Sequence, residues 1–309
     1  MKAGQPEMDF DYDSLVVLAA VVRTGSFESA ANSLNVTQSA VSQRIKQLEE
    51  KVGSVLILRG RPCVATEDGL LLCQHVEQVT LLRHELSEQL ASRGEATDSR
   101  AVGVRIAVNS DSLATWFPEV IDRAATELNL RLEVIPDDQE FTEERLRSGD
   151  ALAIVTSSDK SIPGCKNIAI GSMEYMAVAS SEYAAKYFKN GTNLATISSS
   201  PSIRFDRKDT LPQQWVFLAF GDTARLSSHY IPSYEGHLLC CTRGIGWAMM
   251  PTVTVRPLIE SGKLIEVVPD IRVSTPLFWQ SRSQSSNILR RLSDVVSDVA
   301  AKKLIPNAN

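Results

Sequence analysis

The chain has 309 residues, of which 43% are hydrophobic and 22% charged, with a net charge of −5. Those proportions fit about two globular domains and exclude a disordered tail, a collagen-like repeat and a small disulfide scaffold. No apolar run approaches the ~20 residues of a membrane span, and residues 1–13 are acidic without an apolar core, so no secretory signal is expected. The expectation is a cytoplasmic protein with no membrane partner. Five cysteines (Cys63, Cys73, Cys165, Cys240, Cys241) are odd in number and form no CxxC pair. They read as reduced thiols, with no metal site and no cofactor.

Leu15, Leu18, Ala19 and Val22 recur at helical spacing and give a first helix one apolar face. Gly25 stops it, and Ser26 can cap a second helix whose buried face is Phe27, Ala30, Ala31 and Leu34. Thr37 caps a third helix running to about Val52. Its stripe Val41, Ile45, Leu48, Val52 faces inward. A second stripe, Ser39, Ser42, Gln43 and Lys46, is small or polar. Residues 36–62 carry five basic side chains (Arg44, Lys46, Lys51, Arg59, Arg61) against Glu49 and Glu50, a net +3 on an acidic chain. Periodicity leaves two readings open. The helix is either a solvated face of an ordinary bundle, or one that enters a major groove, with Gln and Ser on base edges and Arg and Lys on phosphates.

Thr66 can cap a further helix with Glu67 and Asp68 in its first turn. Leu72, Val76, Val79, Leu86 and Leu90 follow at 4- and 3-residue steps, interrupted by Arg83. This stripe either pairs with a second copy or packs on the chain's own body. Residues 92–102 are polar and aperiodic and read as a hinge. Strands and helices then alternate: strand 104–108, helix 112–128, strand 130–135, helix 142–148 and strand 151–156. A second unit starts with strand 175–179 and runs through 247–250 to about 268. The chain returns with strand 277–280 and helix 287–303. That is an α/β fold, doubly wound in two lobes with a cleft between them.

The segment from Ser26 through Ala30-Ala31 to Leu34, followed by Val36-Thr37-Gln38-Ser39-Ala40-Val41-Ser42-Gln43-Arg44-Ile45 and Leu48-Glu49, closely resembles the winged helix-turn-helix of LysR-type transcriptional regulators. The match continues through Gly53, Leu56, Arg59, Thr66 and Gly69. Asn109 to Pro118, Pro163-Gly164-Cys165, Arg204-Phe205 with Lys208-Asp209, Pro232 to Gly236 and Trp279-Gln280 resemble the lysine/arginine-responsive ArgP/LysG branch of that family. The resemblance implies a winged helix-turn-helix over 1–65, a dimerising linker helix over 66–91 and a periplasmic-binding-protein-like effector domain over 103–309. Lobe I of that domain would take about 103–165 and 269–309, and lobe II about 166–268. It implies groove contacts from Gln38, Ser39, Ser42 and Gln43, within a DNA-facing set that also includes Thr37, Arg44 and Lys46. Arg59 and Arg61 would lie beside the DNA backbone, with Pro62 stiffening a wing strand. It also implies a homodimer or homotetramer on double-stranded operator DNA, contact with RNA polymerase, and control of a basic amino-acid exporter by lysine or arginine.

Such an effector carries a carboxylate and two cationic groups. Free N–H groups and hydroxyls at Ser110, Asp111 and Ser112 suit the carboxylate, as does a bidentate Arg204, and Thr156 faces the same cleft. Asp111, Asp137, Asp138 and Glu235 are the acids available to the cations. Asp111 can equally be a helix cap, and Asp137-Asp138 a solvated turn. Catalysis is not expected: His75, His84, His229 and His237 make no HExxH, no GxSxG occurs, and Gly244-Ile245-Gly246 lacks the rest of a dinucleotide fingerprint. The alternatives within the family are a different small-molecule effector, or thiol oxidation at Cys165 with Cys240 or Cys241.

Overall fold

Helix α1 (Tyr12–Thr24) begins where the Asp11 carboxylate accepts from the N–H groups of Asp13 and Ser14. The computed structural model describes residues 11–91, 101–136, 143, 145–147, 150–282 and 286–307. Ser26 caps α2 (Phe27–Leu34), and Thr37 caps α3 (Gln38–Val52) by accepting from Ala40 N at 3.2 Å. Leu15, Leu18, Val21, Ala30, Ala31, Val41, Ile45 and Leu48 close one core, joined by Leu56, Cys63 and Val76. The wing is β1 (Ile57–Leu58) paired antiparallel with β2 (Val64–Ala65).

Pro62 lies in the turn between these strands rather than on one, so it does not stiffen a strand. It packs instead on the end of α1, at Gly25. A Cβ at Gly25 would stand 2.8 Å from the Pro62 Cβ, and Gly25 has φ +67°. Both conditions demand glycine. Cys63 N completes the contact by donating to Gly25 O at 2.8 Å.

Helix α4 (Glu67–Ala91) follows, with Thr66 Oγ1 accepting from Gly69 N. It presents three faces. Leu72, Cys73 and Val76 pack into the winged-helix core, and Arg83 lies over the Tyr12 ring. Gln74, Leu81 and Glu85 meet the second domain. Leu71, Leu82 and Leu86 are 56–59% exposed. Of the expected pairing stripe, then, only Leu86 points into solvent. Leu72 and Val76 serve the chain's own core, and Val79 and Leu90 are half-buried.

The second domain runs β3 (Val102–Val108), α5 (Ser110–Thr115), α6 (Phe117–Leu128), β4 (Leu130–Pro136), β5 (Ala153–Thr156), β6 (Cys165–Ser180), α7 (Ser181–Tyr187) and α8 (Leu194–Ser199). It continues with β7 (Ser202–Arg204), α9 (Leu211–Phe220), β8 (Ser228–Tyr230), α10 (Tyr234–Thr242), β9 (Trp247–Pro251), α11 (Thr252–Glu260), β10 (Leu264–Glu266), β11 (Arg272–Arg282) and α12 (Asn287–Lys303). Nine strands form one sheet in the order β4-β3-β5-β11-β6-β9-β7-β8, with β10 on β6. β3 is parallel to β4 and β5, and β7 is parallel to β8 and β9. These two parallel groups are lobe I and lobe II. The antiparallel pair β6 and β11 passes through both. Their register shifts between Leu277 and Phe278, opposite Gly171, whose φ is +124°. The expected strand 175–179 is thus the end of a 16-residue strand.

The expected helix over 112–128 is two helices broken at Trp116, with Pro118 in the first turn of the second. Of the expected helix 142–148, residues 143 and 145–147 are helical and 142, 144 and 148 lie outside the described residues, as do most of the hinge and Asp137 and Asp138.

Candidate nucleic-acid interface and ligand cleft

The outer face of α3 is laid out by its own buried stripe. With Val41, Ile45 and Leu48 inward, Gln38, Ser39, Gln43, Arg44 and Lys46 stand exposed and Ser42 half-buried beside them. Thr37 and Ser39 share a 3.0 Å hydroxyl contact, so the cap also fixes the first exposed serine. Lys46 pairs with Glu50 at 3.7 Å, an exposed contact that a phosphate can displace at little cost. Arg59 and Arg61 are exposed in the wing turn beside Pro62. The Arg59 guanidinium lies 5.2 Å from the centre of the Phe27 ring, which places it at the start of α2.

Glu49 holds the wing to α3: its Oε1 accepts from Leu56 N at 2.9 Å and from Ile57 N at 3.4 Å. The charge count does not carry this role, since it enters Glu49 only as an acid set against the basic side chains of residues 36–62. The assembly is a small cationic surface made of one helix and one turn. Such a surface can put amides and hydroxyls on base edges and arginines on phosphates.

In the second domain, the β3-to-α5 turn meets lobe II. Asn109 caps α5, its side chain accepting from Ser112 N at 2.9 Å. Asp111 is therefore not the cap. Its Oδ2 accepts from the Tyr175 hydroxyl on β6 at 2.8 Å. Burial pushes the Asp111 carboxyl up from the ordinary carboxylate range, against the Tyr175 hydrogen bond and the nearby His237 imidazole, which lower it. Asp209 adds like charge to the same neighbourhood. Burial and then the Asp111 charge hold the Tyr175 hydroxyl well above its usual value. Tyr234 feels Asp111 as well. His237 and Ser112 are buried, and His237 Nε2 and Ser112 Oγ have no hydrogen-bond partner among the described residues. The structure thus collects Asp111 and Ser112 from lobe I with Tyr175, Asp209, Tyr234 and His237 from β6 and lobe II.

The other expected ligand residues divide. Ser110 is half-buried in the turn, and Thr156 is buried at the end of β5 with its hydroxyl accepting from Ser158 N at 3.1 Å. The Nη2 of Arg204 is spent on its own loop: it donates to the carbonyls of Asp209 and Arg207, and the guanidinium lies 5.8 Å from the Tyr230 ring centre. It braces the loop that carries Asp209. Glu235 is exposed in the first turn of α10, where Ser233 Oγ donates to it at 3.1 Å. Tyr175, Asp209, Tyr234 and His237 were not among the expected ligand residues.

The thiols give no support to an oxidation trigger. Burial pushes Cys73 and Cys241 up to about 12 and raises Cys165, away from the thiolate that reactivity needs. Among the described residues no group of three or more His, Cys, Asp or Glu side chains is placed to hold a metal ion. No described helix is long and apolar enough to cross a membrane.

Comparison with known proteins assigns both domains to one family. Residues 12–70 match the bacterial regulatory helix-turn-helix protein, lysR family, and residues 99–301 match the LysR substrate binding domain. The chain belongs to the LysR family and is a DNA-binding transcriptional regulator of the LysR type, not an enzyme. Within that family it is of the LysG/ArgP type. It is 38% identical over 291 residues to the HTH-type transcriptional regulator LysG of Mycobacterium tuberculosis, covering 94% of each chain. Its structure is similar to the crystal structure of ArgP from Mycobacterium tuberculosis, with a TM-score of 0.79 and 36% identity over 97% of this chain and 100% of that one. It is also similar to full-length LysG from Corynebacterium glutamicum with bound effector Arg, with a TM-score of 0.70 and 33% identity over 96% and 100% of the two chains.

Proposed function

We propose that this regulator answers a basic amino acid, arginine or lysine, held between the lobes against Asp111. The observation that carries this reading is the half-buried Asp111 carboxyl at the lobe contact, its hydrogen bond to the Tyr175 hydroxyl, and the orphaned Ser112 hydroxyl and His237 imidazole beside it. A buried anionic group lacking a cation is costly, and an ammonium or guanidinium supplies one. The LysG of Corynebacterium glutamicum, whose solved form holds Arg as its effector, supports the same class of ligand. Ser110, Ser112 and Thr156 line the polar side of the proposed pocket, Asp209 supplies a second acid, and Arg204 acts by bracing the Asp209 loop.

On the DNA side, Thr37, Gln38, Ser39, Ser42 and Gln43 read the groove. Arg44, Lys46, Arg59 and Arg61 neutralise phosphates, with Pro62 seating the wing turn. The protein pairs through the exposed Leu71, Leu82, Leu86 face of α4, so that two reading heads meet two operator half-sites. A dimer or tetramer built this way works in the cytoplasm, engages RNA polymerase at the promoter and governs a basic amino-acid exporter.

Thermal unfolding of the full chain with arginine, lysine, histidine or methionine tests the ligand. At about 100 times its dissociation constant a true effector adds about 2.7 kcal/mol of stability. Arginine or lysine should raise the melting temperature of the natural protein and leave Asp111→Asn unmoved. An equal rise in both proteins removes Asp111 from the site.

A further inference from the structure

Glu77 sits midway along α4, at the junction of the linker helix with lobe I. Its Oε2 is shut off from solvent and has no hydrogen-bond partner among the described residues. An ionised carboxylate in that position is penalised unless cations compensate it. The charged and titratable groups acting on it come from every side of the junction: Arg105 on β3, Arg282 on β11, Glu133 on β4, Asp150 just before β5, and Cys73 on α4 itself. Both arginines are already engaged. Arg105 pairs with Asp150 at 2.9 Å and Glu133 at 3.4 Å, and Arg145 also pairs with Asp150 at 2.7 Å. Arg282 donates to Gln74 Oε1 at 2.8 Å and to Leu146 O at 3.1 Å. Their charge therefore reaches Glu77 only through space, and burial wins: the carboxyl is pushed up to about 7.

We propose that Glu77 is a proton-linked catch between the linker helix and the effector domain. As a neutral acid it lets α4 lie against β3 and β11, and its ionisation loosens that contact. The surrounding grip is local, one buried leucine, Leu81, and two polar contacts. Gln74 holds Arg282, and Glu85 caps α12 by accepting from Ile288 N at 2.8 Å. β3 leads from Arg105 directly to the Asn109–Ser112 turn of the ligand cleft. The state of Glu77 thus sets how firmly the ligand-binding body is tied to the helix that carries the DNA-reading head.

The sign follows from linkage. The docked carboxyl has a raised affinity for its proton, and the undocked, hydrated carboxyl returns to the ordinary range. Docking is strongest below the ordinary carboxylate range and is lost as pH rises through about 7. Between pH 6 and pH 8 the docking equilibrium should fall about tenfold.

Hydrogen–deuterium exchange of the full chain, corrected for intrinsic rates, reads this at residues 74–85 and at the start of α12. The natural protein should lose about tenfold protection there from pH 6 to pH 8, and Glu77→Gln should keep the same protection at both. Protection that falls equally in Glu77→Gln, or that does not fall in the natural protein, overturns the proposal. Arg282→Gln gives an independent reading. With a compensating cation gone, the midpoint of the loss should move to higher pH, and an unmoved midpoint also overturns it.

Discussion

Asn109, not Asp111, takes the first free N–H groups of α5, and this division of labour creates the proposed site. Had Asp111 been the cap, its carboxylate would have been satisfied by its own helix rather than turned to Tyr175. Both residues stand in the sequence, two apart, and either could cap. Only the fold decides, by placing the Tyr175 hydroxyl 2.8 Å from Asp111. Because burial raises the Asp111 carboxyl, the empty cleft favours its neutral form and a cation favours the charged one. Arginine affinity should therefore fall as pH drops through that raised value, by up to about tenfold per pH unit. Calorimetric titration across pH should show this in the natural protein, and Asp111→Asn should give a weak, flat profile.

Residue logic on α3 yields two contrasting outcomes in binding assays. Gln38→Ala or Ser42→Ala should weaken operator binding by about 1–3 kcal/mol while sparing random DNA. Equal losses on both would mean no base is read. Arg59→Ala should weaken both and lower the salt slope by about one unit, and an unchanged slope would place Arg59 off the phosphates. The caps Ser26 and Thr37 use local spacing and were legible. Tyr175, Asp209 and His237 were not, because nothing in their own segments says that Tyr175 meets Asp111 across a separation of 64 positions in the chain.

At the scale of elements, α4 shows how far periodicity carries. The 4- and 3-residue steps of Leu72, Val76, Val79, Leu86 and Leu90 do mark a helix, which spans Glu67–Ala91. They do not say which partner each stripe meets, because the helix is apolar on more than one side. The free stripe is offset: Leu71, Leu82 and Leu86 are exposed, whereas Val76 is 6% exposed inside the winged-helix core. The two sets of substitutions should separate. Leu82→Asp with Leu86→Asp should dissociate the oligomer with little change in protomer fold, as read by analytical ultracentrifugation. Val76→Ala should instead cost about 2 kcal/mol of folding stability with the oligomer intact. Dissociation by Val76→Ala alone would reverse the assignment of faces.

Helices with an unbroken stripe, such as Gln38–Val52 and Asn287–Lys303, match their expected bounds. The break at Trp116 was signalled by Pro118, which fits only the first turn of a new helix. β6 was seen only over its apolar end. Its first half, with Lys166, Asn167 and Gly171, lacks a strand signature and is extended because β11 pairs with it.

For the whole molecule, the architecture joins a two-part DNA-reading surface to a two-lobed body through one helix that packs on both. The long strands β6 and β11 cross from lobe to lobe, with their register shift at Leu277/Phe278 opposite Gly171. A ligand that prefers one lobe arrangement moves that equilibrium only by its differential affinity. Fold class and DNA-binding function were legible because their signals are local and long. The proposed ligand cleft is harder to read from the sequence because its residues come from five separate segments. The most direct test is nuclease footprinting of the full protein on an operator selected from random DNA by the protein itself, with and without arginine. On the proposed function, arginine changes the protected pattern of the natural protein and leaves that of Asp111→Asn unchanged. An arginine-induced change that survives Asp111→Asn, or no change in the natural protein with either arginine or lysine, would contradict it.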